Sequence, residues 1–111
     1  MTTSEHRWTD GDNLIAYHLY RFGGDSLLGT KPEVAETLGM SLDSLDKKIA
    51  NFKALDGKGG LTQWSRQAER IHGLYSAVAD DEVTEAAARA WLRALETQME
   101  RLKHELAKRR Q

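Results

Sequence analysis

The sequence predicts an all-α fold: a helix-turn-helix-type helical bundle followed by a long, amphipathic, coiled-coil-like C-terminal helix. Apolar residues recur at intervals of three and four along most of the chain of 111 residues. The single proline and the glycine pairs fall at the ends of these stretches. Residues 80–111 consist almost entirely of strong helix formers. We therefore expect a helix-turn-helix-like domain over residues 1–79 and a C-terminal helix over 80–111 for dimerisation or partner binding.

The first helix is predicted at about residues 10–22. Thr9 can cap it, and Asp12, three residues later, can complete a reciprocal cap. A connection is expected over residues 23–30, where glycines and polar residues cluster. A helical wheel places five residues on the core side and Asn13 and Tyr20 on the opposite side. The five are Leu14, Ile15, His18, Leu19 and Phe22.

The next two helices are predicted at about 32–38 and from the cap Ser41 to Leu55. Pro32 suits the first position of a helix, because its missing N–H would be unpaired there, and Gly39 suits a helix end. The intervening turn is therefore short. The spacing of the apolar residues in the second of these helices turns one face inward and another outward. Leu42, Leu45, Ile49 and Phe52 are predicted to point inward, and Ser44, Lys47 and Asn51 outward.

This helix, tight turn and second helix with a polar outer stripe are typical of a helix-turn-helix, whose second helix can enter the major groove. The following stretch, 56–60, is predicted to be a flexible loop, since it lacks the spacing of a phosphate-binding loop. A fourth helix is expected from about Ser65 to Ala79. The aromatic side chains are expected to build the core.

The last helix carries a heptad pattern, with apolar residues at alternating spacings of four and three. Such a helix needs a partner, which is either a second copy of the chain or the other helices of the domain. The pattern comprises Ala88, Leu92, Leu95, Met99, Leu102 and Leu106.

The composition argues against several functions. The absence of cysteine excludes disulfides, thiolate metal sites and a thiol nucleophile. The four histidines lack the spacing of helical zinc ligands, and His18 on an apolar face is expected to be a hydrogen-bonded core residue. We therefore expect no catalytic residue, no metal, no cofactor and no enzymatic activity. A polar N-terminus and the absence of a long apolar run predict a cytoplasmic protein that does not contact membrane.

The charges are balanced, with 16 basic and 17 acidic residues and a net charge of −1. This balance gives no global attraction to nucleic acid, so binding to DNA would depend on a local patch. Residues 41–79 hold a small basic excess that could form one.

A set of residues between positions 8 and 76 resembles the helical domain found at the start of some bacterial HNH-nuclease proteins. The set also resembles, more distantly, the Myb-like class of helix-turn-helix units, in which a tryptophan anchors the first helix. The residues that carry this resemblance are Trp8–Asp10, Leu14, Ala16, Leu19–Tyr20, Phe22–Gly23, Pro32–Gly39, Ser41–Leu45, Lys48–Phe52, Leu55–Asp56 and Gly60–Thr62.

The resemblance implies a module that recognises or positions double-stranded DNA, with Ser44, Lys47 and Asn51 on the reading helix. No nuclease half follows residue 80, so we expect a transcriptional regulator or DNA-associated accessory factor of bacterial or phage type. Lysines would neutralise phosphates, and Asn51 would pair with an adenine edge. The predicted DNA contacts are Ser44, Lys47, Lys48, Asn51, Lys53, Lys58, Arg66 and Arg70.

Two other readings compete with this one. The chain could be a protein-interaction module, such as a small inhibitor or adaptor, which docks through its heptad helix and does not bind DNA; the near-neutral charge favours this alternative. It could also be a subunit that works with a separately encoded nuclease chain. In the DNA-binding reading the heptad helix forms a homodimer. The predicted dimer or partner interface is Leu92, Leu95, Met99, Leu102 and Leu106.

Overall fold

Five α-helices make up the structure, a computed structural model that describes residues 6–23, 26 and 28–110. They are α1 (Asp10–Phe22), α2 (Lys31–Leu38), α3 (Leu42–Leu55), α4 (Arg66–Tyr75) and α5 (Asp80–Arg109). The described residues contain no strand, and the predicted all-α fold with a long last helix is confirmed. Parts of the predicted N-terminus, connection and tail lie outside the described residues, namely Met1–Glu5, Gly24, Asp25, Leu27 and Gln111.

Helix α1 begins at the predicted reciprocal cap. The Asp12 N–H donates to the Thr9 hydroxyl at 3.0 Å, and the Thr9 N–H donates to the Asp12 carboxylate at 3.3 Å. The helix then runs through the middle of the molecule, where α3, α4 and α5 all pack against it. Its end at Gly23 has a φ of 56°, which favours glycine.

The burial of α1 differs from the wheel prediction. Asn13 and Tyr17 are buried although they lie away from the predicted core side. The Asn13 amide donates to the Thr9 carbonyl at 2.8 Å and to the Gln67 side chain at 3.2 Å. The one-sided prediction is wrong because helices pack against α1 from several directions. The two hydrogen bonds compensate the Asn13 amide nitrogen for the loss of water, whereas the amide oxygen has no hydrogen-bond partner among the described residues.

Helices α2 and α3 are joined by the predicted short turn. Gly39 adopts the left-handed conformation, with φ of 78°, and Ser41 caps α3 by accepting the Ser44 N–H at 3.0 Å. Helix α2 begins at Lys31, one residue earlier than predicted. The residues that pack α2, the turn and the start of α3 into the core are Val34, Ala35, Leu38, Met40 and Leu45.

The inner face of α3 begins one turn later than predicted. Leu42 is 43% exposed, so its predicted inward position is wrong. Leu45 and Phe52 are buried and Ile49 is half-buried, as expected. The first turn of α3 therefore projects beyond the packed core.

An arginine from α1 fixes the junction between α4 and α5. The Arg21 guanidinium donates to the Tyr75 carbonyl at 3.0 Å and to the Val78 carbonyl at 2.7 Å. It also pairs with the exposed Asp80 carboxylate at 2.7 Å. Helix α4 ends at Tyr75, before the predicted end at Ala79.

The N-terminal half of α5 packs in the same core as the other helices. Val83 and Ala87 are buried, and Ala90 and Ala94 are half-buried against α1 and its neighbours. Small side chains at these positions allow two helices to approach closely. The boundary predicted after residue 79 thus falls between two helices that share one core, and the C-terminal half of α5 extends beyond that core.

Candidate nucleic-acid interface

The outer side of α3 carries charged residues of both signs. The Lys47 ammonium lies 3.3 Å from the Asp43 carboxylate one turn earlier, and Lys31 of α2 lies 3.2 Å from Asp46. These side chains are all exposed, so each pair contributes less than about 1 kcal/mol and can be exchanged for another partner. Lys53, almost two turns after Lys47 and on another flank of the helix, is exposed as well.

Lys48, a predicted phosphate contact, points inward instead. It is 8% exposed, its ammonium donates to the Ser65 hydroxyl at 2.9 Å, and it lies 4.7 Å from the centroid of the Trp8 ring. Burial lowers the pKa of this ammonium. The expectation that Lys48 faces solvent is wrong, because Trp8 and the segment before α4 cover it.

Asn51, the predicted reader of adenine, uses both ends of its amide within the chain. The amide nitrogen donates to the Lys47 carbonyl at 2.8 Å, and the amide oxygen accepts the Ser65 N–H at 2.7 Å. Ser44, also predicted to point outward, is half-buried. The periodicity of α3 indicated its outer side, but it could not show that the loop before α4 returns to cover part of that side.

The anchored loop brings two further side chains beside α3. Ser65 is held by Asn51 and Lys48, so its neighbours Trp64 and Arg66 lie next to the same helix. Trp64 is 39% exposed, contrary to its expected place in the core, and Arg66 is exposed. We define the α3 surface as Lys47, Lys53, Trp64 and Arg66.

The remaining predicted contacts differ in availability. Arg70 forms an ion pair with Asp10 at the start of α1. Lys58 is exposed in the loop after α3 and borders a shallow cavity with Lys53 and Asp56. The predicted set of eight is thus divided: four basic residues are exposed and without an inward anchor, three residues are engaged within the chain, and Ser44 is half-buried. The first four are Lys47, Lys53, Lys58 and Arg66, and the engaged ones are Lys48, Asn51 and Arg70.

A groove of about 480 Å³ lies between the N-terminal segment, the end of α2 and α5. Three arginines line it, namely Arg7, Arg93 and Arg101, and we call it the arginine groove. Arg101 also reaches the turn before α3, where its guanidinium lies 3.8 Å from the position that a Cβ of Gly39 would occupy. Sequence reasoning missed this groove, because residues so distant along the chain meet only in the folded structure.

Two histidines that drew attention in the sequence are structural. His18 is buried and hydrogen-bonds with the Ser26 hydroxyl at 2.9 Å and the Thr84 hydroxyl at 3.2 Å, which confirms its expected core role. His72 lies 2.6 Å from the Asp56 carboxylate at the end of α3. Within the described part of the chain, no three histidines and carboxylates come together as metal ligands would.

Asp56 connects three helices. Its carboxylate accepts hydrogen bonds from Tyr20 of α1 and His72 of α4. Partial burial raises the pKa of Asp56, but these hydrogen bonds outweigh it, and the pKa lies below the usual value. The cluster holds the end of α3 against α1 and α4.

Helix α5 exposes the predicted apolar stripe. The five side chains of the stripe are between 36% and 60% exposed and lie on a different side of the helix from Val83 and Ala87. An exposed row of large apolar side chains is typical of an interaction surface. We define the α5 stripe as Leu92, Leu95, Met99, Leu102 and Leu106.

No protein-family model, curated protein or solved structure matches this chain. None of the described helices is both long enough and apolar enough to cross a membrane.

Proposed function

We propose that this chain is a DNA-binding protein, a regulator or accessory factor, that presents α3 to the major groove. The observation that supports this proposal best is the α2–α3 unit. A left-handed Gly39 and a buried inner face fix the angle between the two helices, while the part of the outer side of α3 that carries Lys47 stays open. A rigid helix with one open face is what reading a groove requires.

The contacts assigned to DNA are those of the α3 surface. Lys47 exchanges its exposed pairing with Asp43 for a phosphate, and Arg66 and Lys53 neutralise further phosphates. Trp64 packs its exposed ring on the sugar-phosphate backbone. Asn51 acts indirectly in this scheme, because it holds the loop that carries Trp64 and Arg66.

The test is a fluorescence-anisotropy titration with random-sequence duplex DNA at increasing salt. A DNA-binding chain loses affinity steeply with salt, since each neutralised phosphate releases counterions. Lys47→Ala with Arg66→Ala should weaken binding at least tenfold at low salt, because hydrogen bonds to charged groups are worth about 1.5–3 kcal/mol. The matched control is Lys108→Ala with Arg109→Ala, which removes the same charge at the far end of α5.

Two results would contradict the proposal. The first is absence of binding by the unaltered chain at low salt. The second is equal weakening by the test pair and the control pair, since this would assign the effect to overall charge rather than to the α3 surface.

We further propose that a second copy of the chain covers the α5 stripe. A heptad pattern is self-complementary, and the residues that flank the stripe include both acids and bases, such as Glu96, Lys103 and Glu105. Pairing would bury five large apolar side chains that are each at least 36% exposed. A homodimer would present two copies of α3 at once and thereby raise the affinity for DNA.

The α5 stripe also favours a second candidate function, that of a protein-interaction module such as an inhibitor or adaptor. In that case the stripe is covered by a different protein and α3 has no DNA ligand. Monomeric behaviour of the pure chain, together with absence of DNA binding, would select this candidate. Truncation after residue 79 is unsuitable as a test, because it removes Val83 and Ala87 from the core.

A further inference from the structure

We propose that the arginine groove binds a phosphate group, and that this phosphate belongs to the backbone of DNA read by α3. The claim that the phosphate belongs to DNA rests on the proposed function. The claim that a phosphate group binds here rests on the residues of the groove.

Basic side chains outnumber the two carboxylates, Asp10 and Asp12, in this concave site. Arg7, Arg93 and Arg101 line it, and none of the three has an ion-pair partner among the described residues. Arginine presents several N–H donors in a planar fork that fits phosphate oxygens. Three such side chains around about 480 Å³ leave room for one phosphate group with its ester substituents.

The carboxylates at the groove are already engaged. Asp12 accepts the Thr9 N–H of the α1 cap and lies 2.8 Å from the His6 ring nitrogen. Asp10 pairs with Arg70 of α4. Because these carboxylates already have partners, the three groove arginines are the groups that can bind an anion.

The start of α1 adds a favourable electrostatic contribution. Gly11 lines the groove, and the position of a Cβ there would be 3.5 Å from the Ala90 side chain, so α1 and α5 approach closely at this point. The first amides of α1 therefore lie near the groove. The positive end of a helix attracts anions, and here it partly offsets the negative charge of Asp10 and Asp12 in the first turn.

The position of the groove matches a backbone contact beside the reading helix. Arg101 reaches Gly39 in the turn that leads into α3. Arg7 precedes Trp8, whose ring covers Lys48 of α3. The groove thus borders the turn before α3 through Arg101, and a duplex that accepts α3 would bring a phosphate towards it.

The experiment compares Arg93→Ala with Arg101→Ala against the control pair Lys108→Ala with Arg109→Ala. Both pairs remove two positive charges from exposed positions of the same helix. One arm titrates inorganic phosphate at constant ionic strength and follows the amide NMR signals of Gly11 and Gly39, with Gly60 as the distant reference. The other arm titrates duplex DNA and determines how its affinity depends on salt. Circular dichroism verifies the helical fold of each variant.

The proposal expects phosphate to shift the Gly11 and Gly39 signals, and expects these shifts to disappear only in the groove variant. It also expects the groove variant to bind DNA about tenfold more weakly, with a salt slope smaller by about one phosphate. Equal DNA binding by the groove and control variants would overturn the groove proposal and leave the proposed function standing.

Phosphate shifts without any DNA binding by the unaltered chain would support a phosphate site but overturn its assignment to DNA, and the source would then be a free phosphate-bearing molecule. Absence of both phosphate shifts and DNA binding would overturn the groove proposal and the proposed function together.

Discussion

The ammonium group of Lys48 lies 4.7 Å from the centroid of the Trp8 ring and so joins the segment before α1 to the middle of α3. The same ammonium donates to the Ser65 hydroxyl, which in turn accepts the Ala68 N–H and caps α4. One lysine therefore connects three parts of the fold. A cation above an aromatic ring and a charged hydrogen bond each stabilise by about 0.5–3 kcal/mol at a partly desolvated site.

Replacing Lys48 by Ala should lower the free energy of unfolding by about 1–3 kcal/mol, because the cation, its hydrogen bond and its packed aliphatic stem are lost together. Urea denaturation measures the change. Lys47→Ala, on the exposed neighbouring position, should change stability by less than about 0.5 kcal/mol. Similar losses from the two variants would show that Lys48 has no special structural role.

Replacing Asn51 by Ala should loosen the loop before α4. The Ser65 N–H would lose its acceptor, at a cost of about 1–2 kcal/mol, and the Ser65 amide should exchange its hydrogen faster than in the unaltered chain. Hydrogen exchange followed by NMR tests this directly, with Lys53→Ala as the control in the same helix. If Asn51→Ala lost DNA sequence preference without faster hydrogen exchange at Ser65, the result would contradict this structural role and indicate that Asn51 contacts a base.

His18 should make the fold sensitive to acid. Burial, followed by the nearby Arg21, lowers the pKa of His18 below its ordinary value of 6.5. The unfolded chain therefore takes up this proton at a higher pH than the folded chain does, so the contribution of His18 to stability is present above pH 6.5 and is lost as the pH falls through the folded pKa.

Urea denaturation at pH 7 and at pH 5 measures this effect. The difference in unfolding free energy between these two values should be smaller in His18→Gln than in the unaltered chain. His104→Gln, an exposed position on α5, is the matched control and should leave the difference unchanged. An equal pH dependence of stability in all three proteins would contradict the assignment of the acid sensitivity to His18.

Arg21 should be far more important to stability than its acidic partner. Arg21→Ala leaves the Tyr75 and Val78 carbonyls without their charged donor and should cost about 2–3 kcal/mol. Asp80→Asn should cost less than about 1 kcal/mol, since that carboxylate is 72% exposed. Thermal unfolding of the two variants distinguishes them, and a larger loss from Asp80→Asn would refute this order.

Two substitutions in the α5 stripe should convert a dimer into a monomer. Leu95→Glu with Leu102→Glu places like charges opposite each other across the proposed pairing and removes its apolar contacts. Sedimentation equilibrium should show dissociation with unchanged helical content, because both side chains are exposed in the single chain. Gln98→Glu, at a position between Leu95 and Leu102 in the sequence, is a milder control that adds a single negative charge and keeps the apolar side chains. A monomeric unaltered chain would exclude the homodimer outright.

The sequence predicted where the helices begin and end better than it predicted which other segments pack against them. Caps and glycine stops are local, and Thr9, Ser41 and Gly39 occupy the expected positions in the structure. The capping box formed by Thr30 and Glu33 starts α2 at Lys31, one residue before the predicted start at Pro32. This error is small because the signal lies within a few residues, whereas the end of α4, which has no glycine stop, lies four residues before the predicted Ala79.

Contacts between distant segments were less predictable. The heptad spacing correctly indicated a row of large apolar residues on α5, but a second face of small residues, including Ala87 and Ala90, packs that helix on the core. Residue type predicted that Lys48 and Asn51 contact DNA, whereas in the structure both form hydrogen bonds with Ser65, in the segment that returns to α3. Periodicity reports one helix at a time, whereas these contacts depend on where another segment lies.

The continuous burial of α1 has an evolutionary consequence. The residues Asn13–Leu19, almost two full turns, are buried around the whole circumference of the helix. A surface helix can accept substitutions on its solvent side, but this stretch has no such side. In a saturation-mutagenesis library, tolerated changes should therefore be scarce at every position of this stretch, and related chains should vary in α5 long before they vary here.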